Sequence, residues 1–239
     1  MATQAAVAGR QCDRLFYTGM AVTAAVLVFA GFARTYYLKA YFGAPSLAPL
    51  VHLHGLVFTS WLVLLLSQVT LVAAKRTDLH RRLGMVGAFL APLMVVVGAA
   101  TAIGAARRGS SPPGGPPPLV FLAIPLGDLV TFSILVAAGF YFRRRSEAHK
   151  RLMLLATIGI LPPAIARLPF DFILSAGPLA IFGLADLVIG ACLLYDGVTR
   201  RRVHPAFLGG GLLIVLSQVL RLFVAGTETW LSFARWLTR

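Results

Sequence analysis

The chain predicts an all-α fold, a polytopic integral membrane bundle of seven transmembrane helices, and three observations carry that prediction. Of 239 residues, 58% are hydrophobic and only 13% are charged, with a mean hydropathy of +0.82. A soluble domain carries about a quarter charged residues. Apolar runs near the length needed to cross a bilayer, roughly 20 residues, recur along the whole chain. The cations cluster between those runs, and mostly on one side.

The first crossing is expected over 16–33 and the second over 50–73, entered through Pro45 and Pro49. The third covers 83–106. After it, 107–118 contains the run Pro112-Pro113-Gly114-Gly115-Pro116-Pro117-Pro118, which suits neither helix nor strand and reads as an extended loop. The fourth crossing covers 119–142. The fifth covers 152–168, where Pro162-Pro163 should kink or break it. The sixth and seventh cover 178–195 and 205–224. Residues 1–15 form a cytoplasmic N-terminal segment, 16–226 the transmembrane domain, and 227–239 a C-terminal segment. In that last segment Trp230, Phe233 and Leu237 share a helical face, as in an amphipathic helix lying along the membrane interface.

Orientation follows from the loop cations. The N-terminus and the loops after crossings two, four and six hold fourteen Lys and Arg. The opposite side holds seven, and Arg221 lies within the last crossing. The richer side is the cytoplasmic one, so the C-terminus lies outside. A net charge of +14 would point to nucleic acid in a soluble chain. Here it is accounted for by topology and anionic lipid headgroups. Cys12 and Cys192 lie in a polar segment and an apolar run, which argues against a disulfide between them.

One pattern occurs twice: Thr77-Asp78-Leu79-His80-Arg81-Arg82-Leu83 and Ser146-Glu147-Ala148-His149-Lys150-Arg151-Leu152. Thr77 and Ser146 are natural N-caps, and the acid after each suits the positive end of a helix dipole. That dipole disfavours an imidazolium, so His80 and His149 are expected to stay neutral with a lone pair available. Bare divalent metal would be repelled by Arg81, Arg82, Lys150 and Arg151. An anionic group on a larger ligand would be attracted. Haem b meets that requirement, with axial imidazoles and propionates for Arg or Lys to hold, and a quinone or lipid headgroup also does.

Other polar residues fall inside the predicted crossings. Asp128 and Asp186 lie roughly 12–14 Å below the outer ends of theirs at about 1.5 Å per residue, in the related runs Gly127-Asp128-Leu129-Val130 and Ala185-Asp186-Leu187-Val188. No cation stands at a matching depth in the sequence, so each acid is protonated, paired or beside water. Leu66-Ser67-Gln68-Val69 likewise recurs as Leu216-Ser217-Gln218-Val219. Toward the outer face lie His52, His54, Arg167, Asp171 and Arg221. At most one of His52 and His54 can face the bundle unless the helix starts between them, because two residues turn a helix by about 200°. Arg167 and Asp171 are placed to pair across Pro169, and Arg221 to snorkel or to hold an anion.

The run His80-Arg81-Arg82-Leu83-Gly84, followed by His149-Lys150-Arg151-Leu152-Met153 and a later Arg167, resembles an uncharacterised family of bacterial multi-pass membrane proteins, a domain of unknown function. Its pattern is His-Arg-x-x-Gly at one helix start, His-x-x-Trp-Met at another and an arginine at that helix's far end. The likeness covers 50–168 and departs at Leu152, where the family has tryptophan. It implies a place in the bacterial inner membrane. More loosely, histidines at helix ends are similar to those of transmembrane b-type cytochromes, although no helix here carries one at both ends.

Three functions follow as expectations. The first is electron transfer through haem b or a quinone, with His80 and His149 as inner ligands, His52 or His54 as an outer one, and Arg167 and Arg221 beside propionates. The second is a non-catalytic accessory or assembly subunit of a larger membrane complex. The third is a proton-coupled carrier using Asp128 and Asp186. Common hydrolase and nucleotide motifs do not occur, and no lysine in the seventh crossing offers a retinal Schiff base.

Overall fold

The computed structural model describes residues 2–112 and 115–239, so Pro113 and Gly114 of the predicted proline-rich loop lie outside the described residues. Among the described residues the chain is helical throughout, without strands. Helix α1 (Ala2–Phe32) runs on as a π-helical turn (Ala33–Tyr37). Then follow α2 (Pro49–Ala73), α3 (Thr77–Arg107), α4 (Pro118–Phe121), α5 (Ala123–Tyr141), α6 (Ser146–Ile158), α7 (Pro162–Ile165), α8 (Asp171–Ala176), α9 (Pro178–Arg200), α10 (Pro205–Val224) and α11 (Glu228–Leu237). Five of them, α2, α4, α7, α9 and α10, open on a proline in the first turn. There the missing N–H leaves nothing unsatisfied and the fixed φ already suits a helix.

Six helical stretches are long and apolar enough to cross a membrane: Gln11–Tyr37, Pro49–Ala73, Thr77–Arg107, Pro118–Tyr141, Pro178–Arg200 and Pro205–Val224. The expected fifth crossing is not among them. It is broken into α6, of 13 residues, and α7, of four. Pro162 and Pro163 offer no N–H to a helix arriving from α6, so the helix ends ahead of them and restarts. At about 1.5 Å per residue α6 is roughly 20 Å long, short of a bilayer's hydrocarbon.

That broken segment is nonetheless the centre of the molecule. Leu152, Leu154, Leu155, Ala156, Ile158, Leu161 and Ile165 are all buried, and Trp61 of α2 donates from Nε1 to Thr157 Oγ1 at 3.1 Å. Helices α1, α5, α9 and α10 pack around it. Close approach to α1 depends on Gly31, where a Cβ would lie 2.1 Å from the Ala164 carbonyl oxygen. The outward faces are apolar: Phe89, Val96, Leu187, Val198 and Phe223 are all more than 60% exposed. A broken helix is tolerated at membrane depth where protein covers it, and apolar side chains turn outward where lipid is the solvent.

The repeated motif begins one residue earlier than expected. Arg76 and Arg145 hold the N-cap positions with non-helical backbones, no side chain caps either helix, and Thr77 and Ser146 are the first helical residues. The His80 N–H donates to the Arg76 carbonyl at 3.0 Å and His149 N–H to Arg145 at 3.0 Å, so both histidines take the fourth helical position. At the other end of the chain Thr227 does cap α11, its Oγ1 accepting from the Trp230 N–H at 3.2 Å. The N-terminal segment from Ala2 onward continues into the first crossing as one helix.

Candidate functional site

The two repeated motifs converge. The His80 and His149 ring centroids are 6.3 Å apart with the rings nearly perpendicular, where the first turns of α3 and α6 flank the end of α5. His149 Nδ1 lies 2.8 Å from the Gly139 carbonyl oxygen. A carbonyl only accepts, so Nδ1 donates and the Nε2 lone pair of the neutral ring is left free. His80 Nδ1 is buried without a hydrogen-bond partner in the protein, and so is Gln68 Oε1. The Gln68 amide sits beside Gly84, one turn along α3 from His80. Three helices thus bring unsaturated polar atoms to one end of the bundle.

Beside this pair lies a charge network that the sequence reading did not assemble. Arg151 and Asp196 are fully buried; Arg151 Nε donates to Asp196 at 2.9 Å and Nη2 at 2.5 Å. Arg151 Nη1 donates to Glu147 at 2.8 Å. Lys150 donates to Asp13 at 2.7 Å and to Glu147 at 2.8 Å, and Arg200 reaches Asp13 at 2.7 Å and Glu147 at 2.9 Å. Tyr195 donates to Asp13 at 2.5 Å. Three cations meet three carboxylates, joining α1, α6 and α9. Lys150 and Arg151, expected to attract an anionic ligand, are therefore occupied, whereas Arg81 and Arg82 are exposed and make no ion pair among the described residues. A signal was available: the chain has only eight acidic side chains, and at predicted cytoplasmic helix ends Asp13 adjoins Arg14 while Asp196 stands one helical turn before Arg200.

Toward the opposite ends of α5 and α10, Asp128 has the cation that the sequence seemed to lack. Arg221 Nη1 pairs with Asp128 Oδ1 and also donates to the Ile124 carbonyl at 2.9 Å, while Arg221 Nε donates to the Ser217 carbonyl at 2.9 Å. Both side chains are buried, so Arg221 neither snorkels nor stands open to a propionate. Asp128 Oδ2 remains buried without a partner. Gly127 makes the pairing possible, since a Cβ there would lie 2.0 Å from Arg221 Cδ. Asp186 accepts from Gln218 Nε2 at 3.1 Å, so α10 serves both intramembrane acids from one face.

The outer histidines separate as the helical wheel requires: His52 is exposed, while His54 is partly buried and stacks on Phe58 at 4.1 Å. His54 is fourteen residues from Gln68 on the same helix, which is roughly 21 Å of rise. It belongs to a different locale from the His80–His149 pair. Arg167 donates to the Pro163 carbonyl at 2.6 Å and covers the Phe32 ring at 4.8 Å; among the described residues it forms no ion pair with Asp171.

His204, in the turn between α9 and α10, caps α10: its Nδ1 accepts from the Ala206 N–H at 3.1 Å. Burial first, and then the Arg151 guanidinium, hold its pKa below the ordinary 6.5, against the opposing carboxylates Asp196 and Glu147. The folded ring takes up a proton less readily than the unfolded one. Its contribution to stability is therefore complete above pH 6.5 and is lost as pH falls through the lower folded value. Thermal unfolding at a series of pH values is expected to show a falling midpoint below pH 6.5. In His204→Ser, which keeps a capping oxygen, that part of the fall should disappear; an unchanged profile would contradict the assignment.

Six apolar helices of crossing length, with apolar faces turned outward, are those of a multi-pass membrane protein. No family model, curated protein or solved structure matches the chain.

Proposed function

We propose that this is a seven-crossing electron-transfer protein of the bacterial inner membrane that holds one haem b between His80 and His149. The single observation carrying it is the pair of imidazoles whose centroids lie 6.3 Å apart. An imidazole nitrogen binds a metal at about 2 Å, so rings at this separation would have room to hold one ion between them. The donor chemistry fits as well: His149 presents Nε2 because Gly139 holds Nδ1, and His80 has a buried nitrogen in search of a partner. Arg81 and Arg82 are the cations left to meet the propionates. When bound, the haem would supply one-electron transfer. In this arrangement α6 and α7 together make the fifth crossing, the His80–His149 end is cytoplasmic, and α11 lies along the outer interface with Trp236 exposed and Trp230 donating to the Leu119 carbonyl at 2.8 Å.

The test is a reduced-minus-oxidised absorption spectrum of protein purified from cells supplied with haem precursor. A Soret band is expected in the wild type, lost in His80→Ala and in His149→Ala and retained in His54→Ala. A colourless wild type, or a band kept by both inner variants, would leave the accessory-subunit reading in its place.

A further inference from the structure

A second site lies on the other flank of α6. The start of α6, the end of α5 and the start of α10 border an open cleft of about 570 Å³, its apolar part lined by Leu135, Ala138, Leu152, Gly209 and Leu213 and its polar mouth by Arg145, Glu147 and His204. From His204 to Leu213 it extends nine residues along α10, roughly 14 Å of rise. The body is therefore apolar and reaches well into the hydrocarbon region.

The mouth is rich in donors. His204 Nδ1 is occupied by the Ala206 N–H, so the proton of the neutral ring sits on Nε2. Arg145 is exposed and makes no ion pair among the described residues. The Glu147 carboxylate is already paired with Lys150, Arg151 and Arg200. Exposed Arg143 and Arg144 adjoin Arg145, and exposed Arg201 and Arg202 precede His204, so the rim is strongly cationic. A neutral head such as a quinone carbonyl would use the donors but not this charge. A phosphate diester uses both.

We propose that this cleft binds one anionic phospholipid, its phosphate held by Arg145 and His204 and one acyl chain lying along Leu152, Gly209 and Leu213. The site is independent of any haem. Charge selects the headgroup, and shape selects a chain over free phosphate.

The experiment is native mass spectrometry of the full chain in detergent, titrated with phosphatidylglycerol, with phosphatidylcholine of the same chains, and with inorganic phosphate. A single tightly retained phosphatidylglycerol is expected, preferred over phosphatidylcholine by fivefold or more. Arg145→Gln should cut that preference about fivefold, the factor one basic side chain contributes near a membrane surface. Gly209→Leu tests the apolar part at a position where a Cβ meets no atom within 4 Å, and its unfolding midpoint is expected to match the wild type. It should remove the retained lipid, whereas Gly190→Leu, equally unobstructed on α9 and away from the cleft, should not. Equal retention of the two lipids, displacement by inorganic phosphate at matched concentration, or wild-type retention in both Arg145→Gln and Gly209→Leu would each overturn the proposal.

Discussion

Arg151→Leu is expected to destabilise the folded protein by about 3–5 kcal/mol, the range for leaving one member of a buried ion pair uncompensated. The guanidinium is fully buried and meets Asp196 through Nε and Nη2, and its Nη1 serves Glu147. Leucine would leave Asp196 inside the bundle with the His204 N–H at 3.0 Å and Arg200 at 3.6 Å as its remaining partners. Arg151→Lys should rescue only part of the loss, since a single ammonium cannot reproduce the two-point fork. Arg151→Leu combined with Asp196→Leu should cost much less than the sum of the two singles, because neither charge is then stranded. Unfolding midpoints in one detergent would measure all four. Additive losses, or a single variant as stable as wild type, would mean that the network does not hold α6 to α9.

The second large effect is expected at the other pair. Arg221→Leu strands Asp128 in the bundle and should again cost about 3–5 kcal/mol. Gly127→Ala approaches the same pair sterically. Its new methyl would overlap the middle of the Arg221 side chain, which is pinned at its far end, and overpacking of this kind costs about 1–3 kcal/mol. The two effects share a cause, so they should not add. With leucine at 221 the obstruction is gone, and Gly127→Ala should become neutral or slightly favourable in a helix interior. Losses that add, or a harmless Gly127→Ala in the wild type, would show that the glycine is not there for the arginine.

How far each feature could be read from residue order depends on whether its cause is local. Proline at a first helical turn and apolar runs of crossing length act within their own segments, and α2, α3, α9 and α10 begin or end within a few residues of where those signals stand. The Pro162-Pro163 break was legible for the same reason. Thr77 and Ser146 were misread as caps because backbone angles at the preceding arginine, and not side-chain type, decide where a helix starts. Arg221 was missed as the partner of Asp128 because depth was judged from α-carbons. A long side chain reaching across a glycine on another helix closes a gap that counting residues leaves open.

Composition and spacing by themselves determined that this chain is a helical membrane protein, where most of its helices lie, and which few polar residues fall inside them, because the bilayer imposes its thickness and polarity on every segment separately. Only the tertiary structure decided that the short, proline-broken, least apolar segment is the core, that His80 and His149 meet, and that six charges tie α1, α6 and α9 together. Those outcomes depend on which helices become neighbours, and a buried charge is stable only beside a particular partner that stands far away in the chain, as Arg221 stands 93 residues from Asp128.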